Sequence, residues 1–291
     1  MADFSLTQLN ATIQELWDQK VEEARYAEGV IVNRVSNKSE IAKKKGDRIH
    51  VSIDQKYTTP AVGSDGTFTP QTYTLTTSTI LLDQWRAVPI QILDQAASQS
   101  FWTPDSTFPT NAGKAFANQY DADLAGLWSS VAAGNTLGST ADPQPFSKGS
   151  AQEALFRMAD TNIPLTNLSF ILHPVSYYGG LLNEAQLTKA NEAGQGKNVL
   201  TTGFIFPLLG VPVYTSTNIV ETGSPVVKKN LLLHKSAMAI AWSKSNVVER
   251  ARATANLTLA DLYVMQSVYG FLVVRSDHFV VINTSKLGSF T

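Results

Sequence analysis

The order of apolar and polar positions divides the chain into elements. Leu6, Leu9, Ile13, Leu16, Trp17, Val21 and Ala24 recur at three- and four-residue steps, which predicts an amphipathic helix ending near Gly29. Val30-Ile31-Val32 reads as a short strand or connector. Arg48-Ile49-His50-Val51-Ser52-Ile53-Asp54 then alternates polar and apolar, the period of a half-buried strand. Nine of the 24 residues from Tyr57 to Ile80 are Thr, and Asp65 carries the one charge among them. Thr is β-branched and favours extended backbone. Pro60, Gly63, Gly66 and Pro70 punctuate a turn region. A return strand follows through Tyr73 and Leu75 to Ile80-Leu81-Leu82. Residues 46–90 therefore predict a long hairpin arm. With ~15 residues a side at ~3.3 Å each, it would reach roughly 50 Å. An isolated ribbon is marginal in water, and bare strand edges invite pairing unless charge or Pro protects them. Charge is nearly absent here, so another copy of the chain is the expected cover.

Beyond the arm, Val88 to Ala97 is strand or short helix, and residues 102–111 form a loop. Phe116, Tyr120, Leu124, Leu127, Trp128 and Val131 share one face of a predicted helix from Asn111 to Ala133, stopped by Gly134-Asn135. Residues 134–149, with Gly138, Pro143, Pro145 and Gly149, read as a linker and domain boundary. Ser150-Ala151-Gln152-Glu153 is a capping box opening a helix to about Asp160. Leu168 to Leu172 predicts a buried strand. His173-Pro174 then starts a helix, with Pro at its first position and Val175, Tyr178, Leu181 and Leu182 inward. Strands are expected at Val211–Tyr214 and Leu231–Leu233, and a short apolar helix at Ala237–Trp242. Strand resumes at Val247–Arg252, Leu262–Tyr269, Phe271–Val274 and Phe279–Ile282, with Gly270 at a bend or bulge.

Composition sharpens this picture. Of 291 residues 43% are hydrophobic, enough for one large or two smaller cores, yet 16% are charged and the net charge is -1. Soluble domains average roughly 25% charged residues. A low charge content suits a surface tiled with neighbours, and a balanced charge argues against a general nucleic-acid binder. The absence of Cys excludes disulfides, thiolate zinc sites and a Cys nucleophile. The apolar stretch Gly203–Tyr214 is broken by Pro207, Gly210 and Pro212 and is too short to span a bilayer. No basic-then-apolar secretory signal opens the chain.

A search for chemistry finds little. His50, His173, His234 and His278 lie far apart with no metal-ligand spacing, and structural roles are expected. No phosphate-binding loop, dinucleotide fingerprint or nucleophile elbow is present. Asp121 and Asp123 stand two apart on a helix, hence on different faces, and are read as solvated or capping carboxylates. Tyr177-Tyr178-Gly179-Gly180 packs a helix and ends a turn. No catalytic residue, cofactor or metal site is expected.

The order of the elements carries a resemblance. It runs from Gly46-Asp47 and the Thr-rich hairpin through Asn118-Gln119-Tyr120-Asp121. It continues with Phe170-Ile171-Leu172-His173-Pro174, Leu209-Gly210-Val211-Pro212-Val213-Tyr214, Leu231-Leu232-Leu233-His234-Lys235-Ser236-Ala237 and Tyr269-Gly270. The chain resembles the tailed-bacteriophage major capsid proteins of the HK97-like fold over nearly its whole length. That resemblance implies an α+β fold with five parts: an N-terminal helix and arm (1–45), an extended hairpin or E-loop (46–90), a peripheral (P) domain with a long spine helix (91–149), a central α/β axial (A) domain (150–250) and return strands of the P domain (251–291). It implies a shell subunit whose hairpin lies over its neighbour and whose copies gather as pentamers and hexamers. Thr58, Thr59, Val62, Phe68, Tyr73, Leu9, Leu16, Trp17, Trp85 and Arg86 are the expected assembly residues. Implied partners are a separate scaffolding protein, a portal protein, a decoration protein, and packaged double-stranded DNA held without sequence-specific contacts. No membrane partner or cofactor is implied. An encapsulin-type compartment shell shares the fold and stays open as an alternative, as does a soluble α/β enzyme with an unrecognised site.

Overall fold

A computed structural model of the chain describes residues 29–42, 47–55, 57–95, 104–181, 207–252 and 260–285. The predicted N-terminal helix, with Leu9, Leu16 and Trp17, lies outside these residues, as does Leu182.

One helix and two sheets make the body. The spine helix α2 (Pro104–Ala125) buries Phe108, Ala112, Phe116, Tyr120 and Leu124, each four residues from the last, in one stripe. It starts earlier than the sequence suggested. Residues 104–111, expected as loop, are helical: Pro104 takes the first position, where a missing N–H costs nothing, and Pro109 is accommodated inside. It also ends earlier, at Ala125. Gly126–Ser130 tightens into a 3-10 turn, and Trp128 is only half-buried, its ring 4.6 Å from Lys229 Nζ.

The stripe packs on a four-stranded sheet in the order β1 (Ser36–Asn37), β10 (Met238–Arg252), β11 (Ala260–Val273), β4 (Gln84–Leu93). The expected helix at Ala237–Trp242 is the first part of β10. Met238 and Ile240 face the core under α2, while Ala239 and Ala241 face a second cluster with Ile49 and Ile80. A run buried on both faces shows no polar alternation, so periodicity cannot tell it from a buried helix. Val88 to Leu93 is likewise strand.

The second sheet contains β5 (Thr136–Leu137), β12 (Phe279–Ser285), β9 (Val227–His234), β6 (Leu168–Leu172) and β7 (Val213–Thr215), with β8 (Glu221–Thr222) on β9. Ile171, Leu231, Leu233 and Val281 join the core that also holds the spine helix, whereas Phe170, Leu172, Leu232 and Val280 face α3 (Lys148–Asp160) and its cluster. One core therefore reaches both sheets. Residues 134–149 are tied into this sheet: Leu137 pairs in parallel with Ile282, and Leu137 and Phe146 are buried. The terminal strand β12 lies in this sheet rather than beside β11.

Caps deviate by small shifts. α3 is capped by Ser147, not Ser150; Ser150 is the third helical residue and closes the box reciprocally with Ser147. α4 (Pro174–Tyr178) has His173 at its N-cap, Nδ1 accepting Val175 N–H at 3.1 Å, with Pro174 next as expected. Over five residues it turns Tyr177 inward and leaves Tyr178 exposed, the reverse of the expectation for Tyr178. Val30–Val32 is no strand. It bends into a 3-10 turn (Val32–Arg34) because the wholly buried Asp121 accepts Val30 N–H at 2.6 Å and Val32 N–H at 2.9 Å. Burial pushes the Asp121 carboxyl up, against the pull of the Val32, Val30 and Ile31 N–H groups. Asp121→Ala leaves those donors buried without an acceptor and should cost about 2–4 kcal/mol. Asp121→Asn, which keeps an acceptor oxygen, should cost less. Urea unfolding of the subunit checks both, and an Ala variant as stable as the parent would refute the pinning role.

Two histidines at opposite ends of β6 predict a pH dependence. Burial and the nearby Lys228, whose Nζ is 3.1 Å from His173 Nε2, hold the His173 imidazole below its ordinary range. His234, in contact with Ser236 Oγ at 2.8 Å, is also held down by burial. A histidine depressed in the fold takes its proton more readily when unfolded. Stability is therefore full above about pH 6.5 and declines as the pH falls below it. His173→Asn keeps a capping side chain without titrating in this range. Melting temperatures at pH 7.5 and 5.0 should show a smaller acid loss for the variant, and equal losses would exclude His173 as a contributor.

Candidate assembly surface

The arm is built on a short ladder. β2 (Arg48–Asp54) pairs antiparallel with β3 (Leu75–Leu81), from Arg48↔Leu81 to Asp54↔Leu75. The directly opposed Ile49 and Ile80 are buried against Ala42, Ala239 and Ala241, which seats the stem on the face of the four-stranded sheet away from α2. Four residues further along each strand, at Ile53 and Thr76, the stem is half-buried to exposed and has left the body. Gly270 makes the seat possible: a Cβ there would stand 1.9 Å from the Leu81 carbonyl oxygen. The glycine marks a close backbone approach, while the two register shifts of this ladder lie on β10 on either side of Lys244.

Beyond the seven paired residues of each strand, the legs run on without a backbone ladder. Two glutamine side chains replace it. Gln55 donates Nε2–H to Thr72 O and accepts Thr74 N–H through Oε1, both at 2.9 Å. Gln71 accepts Thr58 N–H at 3.2 Å and donates to Thr58 O and, at 2.8 Å, to Thr58 Oγ1. A primary amide carries a donor and an acceptor, so each glutamine serves as a side-chain rung. At the tip, Gly63 N–H donates to Thr67 O at 2.9 Å and the Asp65 carboxylate accepts from Thr67 Oγ1 at 2.7 Å. These bonds hold the Asp65 carboxyl below its usual range.

The result is a shaped ribbon with its side chains in solvent. Every residue from 57 to 77 is exposed, including Val62, Phe68 (67%) and Tyr73 among the expected assembly residues, and Tyr57 besides. Thr58 and Thr59 lie on the outgoing leg, Thr58 engaged by Gln71. Apolar side chains this exposed, on a segment almost without charge, make the arm the candidate interaction surface. Trp85 adds to it from the body. It is 74% exposed on the outer face of β4, its Nε1–H donating to Gln266 Oε1 at 3.2 Å.

Arg86 faces the opposite way. Its Nε–H donates to Tyr269 Oη at 3.2 Å, and its guanidinium lies 3.6 Å from Asp123, which also accepts from Tyr269. Arg86 thus ties β4 to the spine helix inside the subunit. Burial and the Asp123 carboxylate raise the Tyr269 phenol far above its ordinary value. Sequence reasoning missed Gln55 and Gln71, whose only signal is a pair of amides flanking a Thr-rich loop. Among the described residues no group of three or more His, Asp or Glu is placed to hold a metal ion.

No family model and no curated protein matches the sequence. Solved structures do match. The fold aligns with a structure from Mycobacterium phage Che8 at TM-score 0.74 and 21% identity, covering 93% of this chain and 96% of that one. The capsid structure of cyanophage P-SCSP1u aligns at TM-score 0.76 and 13% identity, covering 95% and 94%. The cyanophage Pam1 capsid aligns at TM-score 0.75 and 12% identity, covering 99% and 100%. The chain has the α+β fold of these phage structures.

Proposed function

We propose that this chain is the major capsid protein of a tailed bacteriophage, assembling in many copies into an icosahedral shell around double-stranded DNA. The observation that carries the reading is the arm: a charge-poor ribbon, shaped by its own side-chain rungs, that presents Val62, Phe68 and Tyr73 to solvent on a fold shared with phage capsids. The arm supplies backbone for intermolecular pairing and aromatic surface for contact, the two ingredients of strand-mediated association. Contacts of this kind are heterologous and close into rings. Weak individual contacts add up because each subunit makes several.

On this reading the peripheral domain comprises α2 with β4, β10 and β11, and the axial domain the six-stranded sheet with its loops around five- and six-fold axes. The near-neutral charge suits a lining that encloses DNA without gripping it, since each phosphate contact would tighten binding. A scaffolding protein, a portal and a decoration protein are the partners such a shell would use. Size-exclusion chromatography with negative-stain microscopy of the expressed chain tests the proposal. Rings of five or six subunits, curved sheets or closed particles are expected at raised concentration. A chain that stays monomeric or dimeric at every concentration would overturn it.

A further inference from the structure

A cleft of about 920 Å³ opens where the first described segment crosses the four-stranded sheet. β1 pairs in parallel with β10 (Ser36↔Ala239, Asn37↔Ile240), and α1 (Ser39–Ala42) is moored by Ser39 Oγ, which accepts Trp242 N–H at 3.0 Å. Between this segment and the spine helix lies a trough. Its floor holds Val35, Ala117, Tyr120 and Trp242, the last two meeting edge to face at 5.6 Å between ring centroids. Lys38 and Lys235 stand along it, and among the described residues no lining side chain is acidic.

We propose that this cleft is the docking groove for residues 1–28 of the same chain. Three observations select that occupant. The first is pattern: the segment carries the apolar stripe Leu6, Leu9, Ile13, Leu16, Trp17 and Val21, which needs an apolar floor of this kind. The second is charge: the segment has six carboxylates against Lys20 and Arg25, a net −4, and meets a cleft whose charged side chains are both cationic. The third is position. Gly29, where the described chain begins, abuts the cleft wall: a Cβ on it would meet Ala117 Cβ at 3.3 Å. Its carbonyl accepts from Nδ2 of Asn33, itself a lining residue, at 2.7 Å. The segment is therefore tethered at the groove it would fill, at an effective concentration on the order of millimolar. That favours its own cleft over the cleft of a separate copy.

The inference concerns the subunit and holds whether or not the chain builds a shell. Its test is photo-crosslinking of the full chain, unassembled, with p-benzoylphenylalanine in place of the exposed cleft residue Ser243. Equal amounts of ¹⁴N- and ¹⁵N-labelled protein are mixed, and the linked peptides are read by mass spectrometry. Links from position 243 to residues 1–28 within one isotope label are expected. Links to residues 1–28 of mixed label, links to any other segment, or none, each overturn the proposal. Lys38→Glu with Lys235→Glu should lower the yield about three- to tenfold, since two partly exposed ion pairs are lost. Adding Glu15→Lys and Asp18→Lys should restore it. A yield unaffected by either change would show that the segment is not held by this cleft.

Discussion

Excising residues 57–74 and closing the stem with a short turn is expected to abolish closed shells while leaving a folded subunit. Every side chain removed is exposed, so the body loses no buried contact. The shorter connection also costs slightly less closure entropy, and the melting temperature should stay within about two degrees or rise. Assembly is another matter. On the proposed function each copy loses the segment that would reach its neighbour, and the loss recurs at every equivalent contact. The yield of closed particles should fall at least about a hundredfold, the usual scale of a lost multivalent contact. The boundaries matter: a cut extended to Ile80 would remove a wholly buried side chain and the strand that holds the stem on the sheet. Particles of normal size and yield from the 57–74 deletion would mean that the arm has no part in assembly.

Gly270→Ala should be the most damaging single substitution in the body. The added methyl would sit 1.9 Å from the Leu81 oxygen and 2.7 Å from its carbonyl carbon, so backbone rather than a side chain must move. Overpacking typically costs 1–3 kcal/mol, and a backbone obstacle places this change at about 3 kcal/mol or more. Lifting Leu81 would unseat Ile80 from Ala239 and Ala241, so the stem should loosen as the subunit weakens. Gly113→Ala is the matched control. It lies in the spine helix with nothing within 4 Å of the new Cβ and should stabilise by up to about 1 kcal/mol. Urea unfolding compares the two. Equal, small effects at both positions would show that Leu81 does not rest on Gly270.

The sequence by itself determined what depends on neighbours along the chain. The alternation of Arg48–Asp54 and the Thr-rich return gave the stem and the arm, because a strand's period is local and β-branching acts on its own backbone. Phe116, Tyr120 and Leu124 gave the spine helix its buried face. His173-Pro174 gave the start of α4, since capping is a contact between adjacent residues. The charge-poor composition of the arm, whose side chains the structure leaves exposed, was legible too.

Tertiary structure decided whatever requires a distant partner. Met238 to Trp242 is strand because two different cores claim its alternate side chains. Residues 104–111, expected as loop, are helical because Phe108 and Ala112 are buried in the core under the helix, a gain that outweighs the cost of Pro109 inside it. Asp121, which reads as a solvated or capping carboxylate, is buried because it holds the N–H groups of Val30 and Val32, far back in the chain. Arg86, expected among the assembly residues, reaches from β4 to Asp123 and Tyr269 of its own subunit, a partnership set by tertiary packing. Nor does the sequence announce that Gln55 and Gln71 would span the arm, because an amide's partners are set by which leg lies opposite. A pattern along the chain reports which face a residue takes, and only the packed fold settles what that face meets.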